Sequence, residues 1–135
     1  MVEEIKMELF IEKYENAVKA LKTLEEALNT EYSTFVQDAS IQRFEYTTEA
    51  VWKCLQSYLK EYEGILCASP KACMREAKKV NLMDDDTVKL ALEMIDDRNS
   101  TSHTYHEEVA KMLFKLLPQY AMLMKSILNK IEPSI

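Results

Sequence analysis

The stretch VEEIKMELFIEKYENAVKALKTLEEAL, residues 2–28, decides the fold class. It holds no proline and no glycine, and Ile5, Leu9, Ala17, Leu21, Leu24 and Leu28 recur at spacings built from three- and four-residue steps. That period lays one apolar stripe along a helix, whereas a half-buried strand would need strict alternation. Working outward, Asn29-Thr30 and Ser33-Thr34 supply turn chemistry. Phe35 to Tyr62 then runs without a breaker, with Phe44, Val51, Leu55, Tyr58, Leu59 and Tyr62 on related faces, and a second helix is expected to stop at Gly64.

Ser69-Pro70 combines a hydroxyl acceptor with a preset φ and predicts a short third helix through about Val80. Asp84-Asp85-Asp86 suits the positive end of a fourth helix, which should turn Val88, Leu92 and Ile95 inward and fade near Ser102. Thr104-x-x-Glu107 reads as a capping box for a last helix. Its Val109, Met112, Leu113, Leu116, Tyr120, Leu123, Ile127 and Ile131 form a broad apolar face, and Pro118 is expected to bend it. The expectation is an all-α fold: one domain, residues 1–135, forming an antiparallel four-helix up-and-down bundle with an additional short helix.

Composition narrows the function classes. At 135 residues and 47% hydrophobic, the chain can bury a core unaided. The greasiest segment, Leu113 to Ile131, is interrupted by Lys115, Lys125 and Lys130, so no membrane span is expected. Net charge is −6, with eleven acids against five basic residues in positions 1–50, so a polyanion would have to meet the second half. Gly64 is the single glycine, which excludes P-loop and Rossmann phosphate cradles. Cys54, Cys67 and Cys73 suggest no paired framework and hence a reducing, cytoplasmic location. Two histidines without a Cys-x-x-Cys leave too few soft ligands for a structural zinc site.

Chemistry concentrates in Arg98-Asn99-Ser100-Thr101-Ser102-His103-Thr104-Tyr105, eight residues without one aliphatic side chain. Arg98 and His103 would stand about 140° apart on an undistorted helix, so they converge only if the helix ends between them or a second chain contributes. One reading is a polar helix junction, with Arg98 paired to Asp97 or Glu93. The other has Arg98 gripping a phosphate, Asn99 positioning it and His103 moving a proton. Elsewhere, Arg43 and Lys53 flank Tyr46 and Trp52 and could border a polar groove. Lys71, Arg75, Lys78 and Lys79 form a basic stripe that could touch RNA phosphates or an acidic partner but that a solvated face explains better. Asp84-Asp85-Asp86 is explained by capping, and most of the eight methionines should fall on inward faces as filler.

The run from Arg98 to Tyr105 resembles the Arg-x4-His-x-Tyr pattern of HEPN domains that accompany minimal nucleotidyltransferases. Arg43-Phe44-Glu45-Tyr46-Thr47 with Ala50 and Trp52-Lys53, then Ser69-Pro70 with Arg75-Glu76-Ala77, are similar to blocks of the nucleotidyltransferase substrate-binding family. The resemblance spans about residues 35 to 110. It departs at Val80-Asn81, where Ala-Gly is usual, at Ala91, where tryptophan is common, and at His106, where Asn is expected.

The resemblance implies a homodimeric partner subunit of a small nucleotidyltransferase, of the toxin–antitoxin type. No cofactor is expected in this chain, since ATP and Mg would belong to the partner. It further implies that Arg98 and His103, with Asn99, could form a metal-independent endoribonuclease site, with RNA as a second candidate ligand. Tyr105 would be a candidate for nucleotidylation by the partner. Arg43, Tyr46, Trp52, Lys53 and Ser102 are the remaining groove candidates, and a non-catalytic scaffold is the third alternative.

Overall fold

The computed structural model describes residues 1–101 and 106–133. Within them the chain forms five helices: α1 (Val2–Leu28), α2 (Thr34–Glu63), α3 (Pro70–Lys79), α4 (Asp85–Asn99) and α5 (Glu107–Lys130). Helix ends follow local chemistry closely. The Ser33 hydroxyl accepts from the Val36 amide at 3.1 Å, Ser69 from Ala72 at 3.2 Å, and the Asp84 carboxylate from Thr87 at 2.7 Å. Gly64 closes α2 at φ 66°, a left-handed cap that glycine adopts without a Cβ penalty. Asn81, standing where the family pattern has glycine, also sits at φ 64°; asparagine tolerates that region best after glycine.

Cross-helix contacts set the directions. Lys6 pairs with Glu61, Phe10 meets Tyr58 and Tyr62, and Arg43 bonds the Thr23 carbonyl, so α1 and α2 are antiparallel. Phe44 stacks on Tyr120, and Thr48 lies beside the Met124 sulfur, so α2 and α5 run the same way along the core. Asp97 meets Tyr120 while the Leu82 carbonyl just before α4 meets Lys130, which makes α4 antiparallel to α5. Thus α1, α2, α4 and α5 alternate in direction, and α3 is the additional short helix. Residues 64–69 double back along α2, held where Gln56 donates to the Cys67 carbonyl at 2.6 Å.

The core draws on every helix: Phe10, Leu24, Phe44, Leu55, Leu59, Met74, Met94, Leu117, Tyr120 and Met124 are essentially inaccessible. Burying side chains of this size contributes about 1.5–3 kcal/mol each, which offsets the entropy of ordering so much helix. Among the described residues no helix is long and apolar enough to cross a membrane.

Four expectations need correction. Helix α5 starts at Glu107, with His106 at its N-cap position. Glu107 and Glu108 therefore face the positive end of the helix dipole directly, and the capping box proposed for Thr104 lies outside the described residues. Ile5, Leu9, Val109, Met112 and Leu116 are exposed. The start of α1 and one flank of α5 have no helix laid over them. Methionines divide evenly: Met74, Met83, Met94 and Met124 are buried, while Met1, Met7, Met112 and Met122 are exposed. Finally, Cys67 and Cys73 form a disulfide. The turn at Ser69-Pro70 brings their Cα atoms to 5.2 Å, within the span a disulfide bridges. The unpaired-thiol premise for a reducing compartment is thereby withdrawn.

Candidate functional site

Arg98 occupies the last turn of α4, where a cation complements the negative end of the helix. The helix ends at Asn99, three residues earlier than the sequence predicts and between Arg98 and position 103. That break removes the angular separation an unbroken helix would impose. Ser100 caps the end through its amide and its hydroxyl, which donates to the Asp96 carbonyl at 3.1 Å. The Thr101 hydroxyl donates to the Arg98 carbonyl at 2.9 Å. Local hydroxyls thus satisfy carbonyls that a helix end would leave orphaned. Asn99 is exposed beside Arg98. Ser102, His103 and Tyr105 lie outside the described residues.

Contacts among three helices anchor the turn that carries Arg98. The Tyr120 hydroxyl donates to the neighbouring Asp97 carboxylate, and the Tyr120 ring stacks on Phe44 at 5.6 Å between centroids. This line of contacts from α2 through α5 to α4 anchors the turn carrying the guanidinium. Burial and the Asp97 carboxylate both push the Tyr120 hydroxyl well above its ordinary value, keeping it a donor at all physiological pH. Asp97 is thereby committed to tyrosine and makes no ion pair with Arg98 among the described residues; neither does Glu93.

Glu49, on α2, is a carboxylate that feels the charge of Arg98. Its Oε1 accepts from the Trp52 indole at 3.0 Å and its Oε2 faces Lys53 at 3.4 Å. The indole hydrogen bond, then Lys53 and Arg98, hold the Glu49 carboxyl below the usual range against the opposing effect of burial. Glu49 was invisible as a site residue in the sequence because an acid in mid-helix looks like part of a solvated face. The nearest signal was its position four residues before Lys53. The Arg98 Nε is buried and has no hydrogen-bond partner among the described residues. A buried donor left in this state is costly unless something else supplies an acceptor.

The groove candidates separate. Trp52 and Lys53 belong to the Arg98 cluster. Arg43 and Tyr46 turn instead to α1, where Arg43 donates to the Thr23 carbonyl at 2.7 Å and the Tyr46 hydroxyl meets the Thr23 hydroxyl. These two staple α1 to α2. The basic stripe is largely neutralised: Lys71 pairs with Asp96 at 2.5 Å, Lys78 with Asp85 at 3.0 Å and Lys79 with Glu76 at 3.1 Å. Among the described residues no three His, Cys, Asp or Glu side chains converge as metal ligands. Burial pushes the Cys54 thiol up to about 12, so it is no nucleophile.

Beside the Arg98 turn lies an open apolar groove formed by Val109, Met112, Leu113 and Leu116 with Asp97 and Ser100. A phosphate-sized anion approaching Arg98 would therefore have a cation and a neighbouring amide side chain on one side and an uncovered apolar flank on the other. No curated protein matches the chain. The crystal structure of a protein from Thermus thermophilus is similar, with 50% identity and a TM-score of 0.83, over 87% of this chain and 99% of that one. Residues 11–133, a span that includes Glu49, Arg98 and the whole α4–α5 junction, match the family described as nucleotidyltransferase substrate binding protein like, and the chain belongs to that family.

Proposed function

We propose that this chain is the helical partner subunit of a small nucleotidyltransferase, holding substrate or its own Tyr105 for a reaction whose ATP and Mg are bound by that partner. The family match over residues 11–133 carries this reading. The exposed flank Val109, Met112 and Leu116 beside Arg98 supports a homodimer, because a contiguous apolar face is suited to cover by a second copy. The test is to co-express the chain with a small nucleotidyltransferase from the same source. Stable co-purification is expected, with a nucleotidyl mass increase on Tyr105 when ATP and Mg are added. Separate elution of the two proteins would count against the partner role, and an unmodified Tyr105 would leave presentation of a separate substrate.

One observation favours a second, compatible activity. The buried Arg98 Nε, without a hydrogen-bond partner among the described residues and near enough to Glu49 to affect it, suits an anion that arrives from outside the chain. In the HEPN-type ribonuclease reading, the 2′-hydroxyl attacks the adjacent phosphorus while His103 takes its proton, and the 5′-oxygen leaves with a proton from solvent, giving a 2′,3′-cyclic phosphate and a 5′-hydroxyl. Arg98 stabilises the charge gathering on the phosphorane oxygens and Asn99 holds one of them. A partner that silences this activity makes the pair a toxin and antitoxin. Incubation with transfer RNA in excess chelator tests it: cleavage is expected from the wild type and not from Arg98→Ala or His103→Ala. Intact RNA in every lane would leave the partner role standing alone.

A further inference from the structure

About two to three turns beyond Glu49 along α2, a cavity of about 500 Å³ opens between α1, the end of α2 and the returning segment 64–69. Lys6, Lys13 and Lys60 border it, Gln56 and Ser57 supply polar groups, and Leu9 and Leu66 supply apolar walls. Glu61 is the single acid on the lining, and it is engaged by Lys6 at 3.8 Å. Lys13 and Lys60 form no ion pair among the described residues. Two uncommitted ammonium groups therefore face one cavity, Lys13 from the acid-rich first fifty residues and Lys60 from beyond them. At ordinary ionic strength charges beyond roughly 10 Å are screened, so the lining itself, where Lys6, Lys13 and Lys60 stand against Glu61, weighs most on a bound anion.

We propose that this cavity is a binding site for a small phosphate monoester, its phosphate between Lys13 and Lys60 and its organic part against Leu9 and Leu66. No arginine lines the cavity, so an anion there meets ammonium groups and no planar fork. Lysines recognise a compact dianion as point charges with donors that rotate to suit it. The volume is several times that of a bare phosphate, which leaves room for an organic group on the exposed leucines. The far wall is firmly held. Gln56 ties the Cys67 carbonyl to α2, and the disulfide ties Cys67 to α3. A wall fixed at both sides avoids ordering a loop when the ligand binds. The site is independent of the partner reading, since none of its lining residues belongs to the Arg98 cluster.

The probe is phenyl phosphate, with inorganic phosphate and phenol as its two fragments, followed by amide chemical shifts and by calorimetry. Phenyl phosphate at millimolar concentration should shift the amides of Ser57, Leu66, Cys67 and Ala68 and bind more tightly than either fragment. Lys13→Gln with Lys60→Gln should weaken it about tenfold, the loss of a charge-assisted bond. Both lysines are exposed, so the fold is expected to survive, as circular dichroism would verify. Leu66→Ser should remove the advantage of phenyl phosphate over inorganic phosphate while leaving the latter's binding intact. Unmoved amides at these four residues would overturn the proposal. So would an affinity unchanged in the double lysine variant, or phenol binding as well as phenyl phosphate.

Discussion

Two stretches of the same helix, Glu49–Lys53 and Gln56–Lys60, each border a cationic site and handle their cations in opposite ways. At the first, Arg98 is half-buried, and the turn that carries it is anchored through Asp97, Tyr120 and Phe44, with the Glu49 carboxylate near enough to feel its charge. At the second, Lys13 and Lys60 are exposed and form no ion pair among the described residues. A fixed, partly dehydrated cation can stabilise charge that develops at one point in space, which chemistry requires. Mobile, hydrated cations can only concentrate an anion, which is sufficient for binding. Placement, more than charge, separates the two sites.

The largest expected effect breaks the support of the first site. Phe44→Ala removes the ring beneath Tyr120 and should cost about 3–5 kcal/mol in denaturant unfolding. Phenyl phosphate binding at the lysine cavity should be unaltered under native conditions. A loss below about 1 kcal/mol would show that the Phe44–Tyr120 stack is not what fixes α5 against α2.

Tyr120→Phe is a narrower probe, deleting one hydroxyl and leaving Asp97 without its donor. It should destabilise by about 1–3 kcal/mol. The amides around Arg98 should move while those of residues 57 and 66–68 stay still. Movement at both places would mean that the two sites are coupled through α2 and respond as one.

How much of this could be read from the sequence depends on how local the cause is. The ends at Ser33, Gly64, Ser69-Pro70 and Asp84 were legible to within a residue or two, because a cap acts on amides or carbonyls a few positions away. Arg98 and Asn99 were legible as site residues because an aliphatic-free run between amphipathic helices stands out. Glu49 was not, since its meaning comes from α4. Arg43 and Tyr46 could not be told from Trp52 and Lys53, because periodicity gives the faces of a helix without naming the neighbour each face meets. For the same reason the apolar breadth of α5 was plain, while the exposure of Val109, Met112 and Leu116 was not.

Asn81 offers a prediction of intermediate size on the turn between α3 and α4, which sets where α4 begins. Asn81→Ala places a Cβ-constrained residue at positive φ and should cost about 1 kcal/mol. Asn81→Gly should be neutral or stabilising by a few tenths of a kcal/mol. Thermal unfolding of the three proteins in parallel reads the difference, and equal midpoints would show that the turn relaxes out of the left-handed region.

The smallest effect is a titration. Glu49 has a folded value lowered from the ordinary 4.5, so its contribution to stability is present above 4.5 and is lost as pH falls through the lowered value. Trp52 is the single tryptophan and hydrogen-bonds that carboxylate directly. Its emission should therefore change with a midpoint below 4.5, and in Arg98→Ala the midpoint should move back toward 4.5. A midpoint that ignores Arg98 would confine the cluster to α2.

The bridge between Cys67 and Cys73 also determines what an alkylating reagent can see. With it closed, the remaining thiol is Cys54, buried and held protonated up to about 12, so the native protein should be silent to iodoacetamide. Opening the bridge with a dithiol, which is itself oxidised to a disulfide, frees two sulfurs; Cys67, on the rim of the lysine cavity, is the more accessible of the pair. The number of carbamidomethyl groups acquired by the folded protein straight from the cell is therefore a record of the redox surroundings in which it was made: none from an oxidising compartment, at least one from a reducing one.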